Sequence, residues 1–108
     1  MAKNYVYYAK KAWLKLGDIA MLHRTCRYKE LGDSIGLHYR QVGRALGYIQ
    51  RYCQNNNLPP LQILVVNNTG KPGCGFVAAS ENEIPARTEE VFAFNWKSIE
   101  NPFYLLKE

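Results

Sequence analysis

The sequence predicts an α+β domain in which three helices precede a small β-hairpin. Apolar residues recur at spacings of three and four in the first half of the chain, and a short β-branched run follows at 61–66. The chain has 108 residues, 47% hydrophobic and 21% charged, as in ordinary globular proteins. This length fits a single domain over 1–108, with a core at about 5–78 and a C-terminal docking tail at 79–108.

The first helix is predicted over 5–23, where apolar side chains recur at helical spacing. Residues 25–27 are expected to form an extended link to a second helix at 28–34. Gly36 can end that helix because glycine adopts a left-handed conformation at little cost. The predicted inward-facing residues are Val6, Ala9, Trp13, Leu16 and Ala20 of the first helix, and Leu31 and Ile35 at the second.

The third helix, predicted over 39–55, has the clearest separation of polar and apolar faces. At about 100° per residue, one sector holds the apolar residues Val42, Ala45, Leu46, Ile49 and Cys53. The facing sector holds the polar and basic residues Arg40, Gln41, Arg44, Tyr48 and Arg51. Asparagines at 55–57 and the prolines at 59–60 are expected to end the helix.

Residues 61–66 are predicted to form a strand that turns back into a second strand at 73–78, with Lys71 at the tip of the hairpin. Residues 79–87 are expected to form a loop, and a short helix to follow Thr88, which would cap it. Residues 102–106 are expected to dock on the core. Three helices followed by a hairpin is the order of a winged helix-turn-helix domain.

Charge is distributed unevenly along the chain. Residues 1–72 contain eleven Lys and Arg and three acidic residues, a net charge of +8, whereas 73–108 contain three basic and six acidic residues, a net charge of −3. A positive potential of this kind attracts phosphates and speeds encounter with nucleic acid. A solvated, solubilising surface is the alternative interpretation of the same charge.

Other functional classes find little support in the composition. The cysteines Cys26, Cys53 and Cys74 are too few and too widely spaced for a disulfide scaffold or a zinc site, so reduced thiols and no metal or other cofactor are expected. The absence of an apolar span or signal peptide predicts a cytoplasmic protein without membrane association. A small nuclease suits a basic domain, although the sequence identifies no general base for it.

The stretch 25–76 resembles the C-terminal domain of the alkylguanine-DNA alkyltransferases and the alkyltransferase-like proteins. The similarity is most specific in the helix, where 40–46 read R-Q-V-G-R-A-L against the family's R-A-V-G-R-A-L. Residues 27–31, R-Y-K-E-L, match the T-Y-G-E-L-A pattern more loosely. The sequence N-L-P-P at 57–60 resembles the family's N-P-L-P loop, and C-G-F at 74–76 resembles its final turn.

The nucleophile motif of that family is missing. With Pro60 as the second proline of the loop, the P-C-H-R positions fall on Leu64, Val65, Val66 and Asn67. Alkyl transfer needs a thiolate whose pKa is lowered by a histidine relay, and two valines offer neither nucleophile nor base. The resemblance therefore predicts a DNA-binding module without alkyl-transfer activity.

The resemblance implies that the third helix contacts DNA from the minor groove. Arg40 would then intercalate into the base stack, Tyr28 would help to rotate a nucleotide out, and Gly43 would let the helix approach the backbone. Arg44 and Arg51 would neutralise phosphates. The complete predicted DNA-binding set is Tyr28, Arg40, Gln41, Gly43, Arg44, Tyr48, Arg51 and Lys71.

Duplex DNA is therefore the expected partner. The alternative is a protein-interaction domain whose basic, tyrosine-rich surface binds an acidic protein and has no nucleic-acid role. Eight tyrosines suit either partner, because an amphipathic ring can stack on a base or pack against a protein.

Overall fold

The computed structural model describes residues 5–67, 84–99 and 102–103, which are mostly helical with a two-stranded parallel sheet. The helices are α1 (Tyr5–Met21), α2 (Tyr28–Ile35), α3 (Val42–Asn55) and α4 (Ile84–Ala93). The strands are β1 (Cys26–Arg27) and β2 (Val65–Val66). Short 3₁₀ turns occur at Tyr39–Gln41, Leu61–Leu64 and Trp96–Ser98. The predicted α+β composition is confirmed within these ranges.

Helices α1, α2 and α3 share one core, and the predicted inward faces are confirmed. Ala9, Trp13, Leu16 and Ala20 of α1 are buried, and Val6 is half-buried beside them. All five residues of the predicted apolar sector of α3 are buried, as are Leu31 and Ile35 of α2. The burial of these apolar faces leaves the opposite face of α3 toward solvent.

Helix α2 is defined by contacts at both ends and by one glycine within it. The Glu30 Oε1 accepts a hydrogen bond of 3.2 Å from the Arg27 backbone N–H, which satisfies a donor at the start of the helix. Gly36 ends it with φ at 80°, as predicted. A Cβ at Gly32 would lie 2.4 Å from the Leu37 carbonyl oxygen and 3.2 Å from Val42 Cγ2, so glycine permits this close approach.

The region before α3 differs from the prediction of one continuous helix from residue 39. Residues Tyr39–Gln41 form a 3₁₀ turn, and α3 itself begins at Val42. The His38 Nδ1 accepts a hydrogen bond of 3.1 Å from the Arg40 N–H, and the Gln41 N–H donates to the His38 carbonyl at 2.8 Å. These two bonds favour a tighter turn, because they satisfy the first backbone donors locally.

The predicted strand at 61–66 is correct only at its end. Residues Leu61–Leu64 form a 3₁₀ turn, closed by a 2.9 Å bond from the Ile63 N–H to the Pro60 carbonyl. Strand β2 pairs in parallel with β1, in the register Cys26 to Val65 and Arg27 to Val66. Both β2 residues are buried, as is usual for parallel strands. The predicted return strand at 73–78 and Lys71 lie outside the described residues.

The loop predicted for 79–87 is wrong at its end, because α4 begins at Ile84. Pro85 is compatible with the first turn of a helix, where its missing N–H would have no helical partner. Thr88 is therefore not a cap: it lies inside α4, and its Oγ1 donates a 2.8 Å hydrogen bond to the Ile84 carbonyl.

The C-terminal segment packs on α1 through an aromatic cluster around Trp13. The ring centroid of Trp13 lies 5.5 Å from that of Trp96, 5.7 Å from that of Tyr52 and 6.1 Å from that of Phe103, all in edge-to-face arrangements. The Trp96 Nε1 donates a 2.8 Å hydrogen bond to the Val91 carbonyl. Phe103 of the predicted docking tail is thus buried against the core, and residues 104–106 lie outside the described ranges.

Candidate nucleic-acid interface

The exposed face of α3 carries the predicted helix residues of the candidate site. Arg44, Tyr48 and Arg51 are exposed there, and Gly43 and Gly47 lie at its edge. We call these five residues the α3 face. Neither α3 nor the 3₁₀ turn before it contains an aspartate or glutamate, and the sequence has none from 34 to 80. The surface is therefore basic without acidic residues from its own helix.

Each arginine of this region lies beside a tyrosine ring. The guanidinium carbon of Arg44 is 5.7 Å from the centroid of Tyr5, and that of Arg51 is 5.9 Å from the centroid of Tyr48. Ion pairs occur at Arg87 with Glu90 and at Lys97 with Asp18, and within the described part of the chain none involves Arg44 or Arg51. A π face attracts a guanidinium without neutralising it, so both arginines can still bind phosphate.

Arg40 and Gln41 lie in the 3₁₀ turn that precedes α3, although the sequence predicts both residues on the helix itself. Arg40 is exposed, and its Nε donates a 3.2 Å hydrogen bond to the Tyr39 hydroxyl. Gln41 is half-buried at the start of α3. The turn thus presents the Arg40 side chain beside the first residues of the α3 face, together with its neighbour Tyr39.

Tyr28 is separate from the α3 face. It is the first residue of α2, and its half-buried ring packs against the core cluster. Of the predicted site residues, the structure thus groups Gly43, Arg44, Tyr48 and Arg51 on α3 with Arg40 and Gln41 just before them. Tyr28 lies on another helix, and Lys71 is outside the described residues.

No packing contact among the described residues requires glycine at Gly43 or Gly47. In the described part of the chain, a Cβ at either position would meet no atom within 4 Å other than the neighbouring backbone. A glycine in a helix interior costs about 1 kcal/mol relative to alanine, and less in the first turn. Both glycines are exposed and meet no packing partner among the described residues, so their backbone can be approached closely by another molecule.

The positions aligned with the missing nucleophile motif are buried in the sheet region. Leu64, Val65 and Val66 are buried and apolar, and Val65 pairs with Cys26 across the sheet. Cys26 is thus the cysteine adjacent to the aligned nucleophile position. Burial, with a smaller contribution from the Glu30 carboxylate, raises the pKa of its thiol to about 11. Such a thiol is a poor nucleophile at neutral pH.

Burial also makes the Cys53 thiol a poor nucleophile. It is buried on α3, and this burial raises the pKa of its thiol to about 11, partly opposed by a backbone hydrogen bond at Leu61. Both Cys26 and Cys53 are free thiols, as the cysteine spacing predicts. Cys74 lies outside the described residues.

The folded protein should protect Cys26 and Cys53 from alkylation at pH 8. A pKa of about 11 instead of 9.0 lowers the thiolate fraction about 100-fold, and steric burial slows the reaction further. The folded-state rate should increase as the pH rises toward about 11, whereas the rate in urea should level off above about 9. Iodoacetamide labelling with peptide mass mapping measures both. Equal rates in buffer and urea would contradict the burial of these thiols.

Sequence reasoning missed three residues of this region: Tyr5, Tyr39 and Gly47. Tyr39 adjoins Arg40 and could have been found by its position before the basic helix. Gly47 shares the helical spacing of Gly43, four residues earlier. Tyr5 gave no signal, since it lies 39 residues from Arg44 in the chain and is brought beside it only by the packing of α1 on α3.

Comparison with protein-family models, with curated proteins and with solved structures finds no match to this chain. Within the described ranges, no three histidine, cysteine or acidic side chains are grouped as metal ligands would be. None of the helices described here combines the length and apolar character needed to cross a bilayer.

Proposed function

We propose that this chain is a non-catalytic DNA-binding module of winged-helix type, related to the alkyltransferase-like proteins, which recognises duplex DNA through α3. The observation that carries the proposal is the α3 face: two arginines that have no carboxylate partner among the described residues, with two exposed glycines beside them. A solvated helix face normally mixes charges of both signs. This one combines positive charge with bare backbone, which suits a phosphate-lined groove.

The order of elements supports a helix-turn-helix. Helix α2 and the turn after Gly36 place α3 on the surface, and the buried residues Leu37 and Val42 anchor the chain on both sides of Tyr39–Gln41. In a helix-turn-helix, the second helix of the pair enters the groove and the first supports it. In this proposal the segment around Lys71, which lies outside the described residues, would act as the wing and contact the DNA backbone.

The alignment of this chain with the nucleophile motif of the alkyltransferases also predicts that it does not transfer alkyl groups. Two valines replace the nucleophile and its histidine, and burial keeps Cys26 protonated at neutral pH. The module would thus recognise DNA without modifying it, and it would supply targeting to another protein or to a larger assembly.

Arg44→Ala and Arg51→Ala should each weaken duplex binding about tenfold near 0.1 M salt. One phosphate contact contributes about 0.9 to the slope of log affinity against log salt, so the double variant should reduce that slope by about two. Fluorescence anisotropy with a labelled duplex at several salt concentrations measures this change. Lys15→Ala removes an exposed cation from α1 and serves as the matched control.

Three outcomes would contradict the proposal. Arg44→Ala and Arg51→Ala could bind like wild type, Lys15→Ala could weaken binding as much as they do, or single-stranded RNA of equal length could bind as tightly as the duplex. Cleavage of the duplex during incubation, detected on a denaturing gel, would refute the non-catalytic part alone.

A protein-interaction domain is the second candidate, and one feature of α1 favours it. Leu14 and Met21 of α1 are 53% and 57% exposed, and Leu22 directly after the helix is 65% exposed, so apolar surface lies on the outer side of α1 and just beyond its end. An absence of duplex binding in the titration above would favour this candidate over the DNA-binding module.

A further inference from the structure

An exposed stack of side chains precedes α3. The ring centroids of His38 and Tyr39 are 4.6 Å apart, with an interplanar angle of 29°. The guanidinium carbon of Arg40 is 5.8 Å from the Tyr39 centroid, and its Nε donates a 3.2 Å hydrogen bond to the Tyr39 hydroxyl. We call His38, Tyr39 and Arg40 the 38–40 stack.

The backbone under the 38–40 stack is held in place. Leu37 and Val42 on either side are buried, with 4% and 0% of their surfaces exposed. The His38 Nδ1 accepts the Arg40 N–H at 3.1 Å, which leaves the imidazole proton on Nε2. The stack is thus a preformed surface on a 3₁₀ turn, and ordering it on ligand binding costs little.

The side chains themselves remain accessible. His38 and Arg40 are exposed, and 44% of the Tyr39 side chain is exposed, more than the 37% of Tyr48 on α3. Tyr28, by contrast, is half-buried against the core. Near α3, exposed aromatic surface therefore lies at Tyr48 on the helix and at Tyr39 with its histidine neighbour before it.

The chemistry of the 38–40 stack matches one kind of ligand, a flat aromatic group attached to an anion. An imidazole and a phenol ring provide a stacking surface, and Arg40 provides a cation held by one hydrogen bond and a contact near the 6 Å limit of cation–π interactions. This arginine can move to a phosphate while a base extends the stack. A base within an intact duplex has both faces covered, so the ligand must be unstacked.

We propose that the 38–40 stack binds an unpaired nucleobase of a DNA duplex that lies along the α3 face, an inference that rests on the proposed function. Tyr39 provides the main stacking contact, His38 supports the Tyr39 ring, and Arg40 binds the adjoining phosphate. Every base has a π face, so the site discriminates unpaired from paired bases with little preference among the four.

Two labelled duplexes that differ only in one extrahelical 2-aminopurine test this site. Wild type should bind the bulged duplex about tenfold more tightly than the paired one and quench the 2-aminopurine fluorescence. Tyr39→Leu should abolish the preference and the quenching while changing affinity for the paired duplex less than about twofold. Tyr39→Trp should retain both properties, and Tyr7→Leu, at a tyrosine of α1 that is 38% exposed, is the matched control.

Each contrary result has a distinct meaning. If wild type binds both duplexes equally through Arg44 and Arg51, the 38–40 stack is not a base site and the proposed function stands. A bulge preference and quenching that survive Tyr39→Leu overturn the inference in the same way. If neither duplex binds, the proposed function and the inference both fail. Circular dichroism of Tyr39→Leu and Tyr39→Trp confirms that the fold is retained.

Discussion

Replacing Gly32 with alanine is expected to lower the free energy of unfolding by about 3 kcal/mol. The added Cβ would lie 2.4 Å from the Leu37 carbonyl oxygen, and a backbone atom cannot move aside as a flexible side chain can. It would also lie 3.2 Å from Val42 Cγ2, at the start of α3. Relief of both contacts requires α2 to shift away from the 3₁₀ turn.

Gly47→Ala is the matched control for this prediction, because it makes the same change in a helix and should have the opposite sign. A Cβ at Gly47 meets nothing within 4 Å, so the gain in helix propensity, about 1 kcal/mol, should raise stability. Urea denaturation followed by circular dichroism measures both variants. Similar stabilities for Gly32→Ala and Gly47→Ala would show that α2 and the turn are not in close contact.

Replacing Gly43 with leucine is expected to weaken duplex binding about 100-fold without destabilising the fold. Gly43 is exposed, and a Cβ there would meet no described atom within 4 Å, so a leucine side chain can extend into solvent and improve helix propensity. In the proposed complex that space is filled by the DNA backbone, and a leucine side chain would hold the helix away from the phosphates. The charge-assisted contacts of Arg44 and Arg51 would then lengthen together.

Gln54→Leu serves as the control for Gly43→Leu, since it adds the same side chain to an exposed position near the end of α3. Anisotropy titration and urea denaturation should be run on both variants. Weaker binding with unchanged or higher stability separates a docking effect from unfolding. Tight binding by Gly43→Leu would exclude a close approach of the helix to DNA at this residue.

The helices and their inward faces were predictable from local pattern. The apolar spacing in α1 and the two-sided distribution in α3 reflect the burial of one helix face. This periodicity can be read from the order of the residues alone. The stop at Gly36 was predictable for a similar reason, since the positive φ at this position depends on the residue type. Predictions from these local rules agree with the structure.

Predictions that needed a partner elsewhere in the chain were less successful. The β-branched run at 61–66 predicts one strand, but β2 is confined to Val65–Val66 and pairs with β1 at Cys26–Arg27. A two-residue parallel pair has no sequence signature of its own, because its register depends on how segments distant in the chain pack together. The polar residues before Thr88 predict a loop, whereas α4 begins at Ile84. Pro85 is compatible with the first turn of that helix.

In the candidate site, the basic side of α3 is predictable from helical periodicity, because burial of the apolar sector leaves Arg44, Tyr48 and Arg51 in solvent. Which tyrosines lie beside the arginines depends on the packing of the helices, as does the exposure of Tyr39 and the half-burial of Tyr28. Helical periodicity is a property of neighbouring residues, whereas the contact of Arg44 with Tyr5 and the exposure of each ring depend on how separate helices pack together.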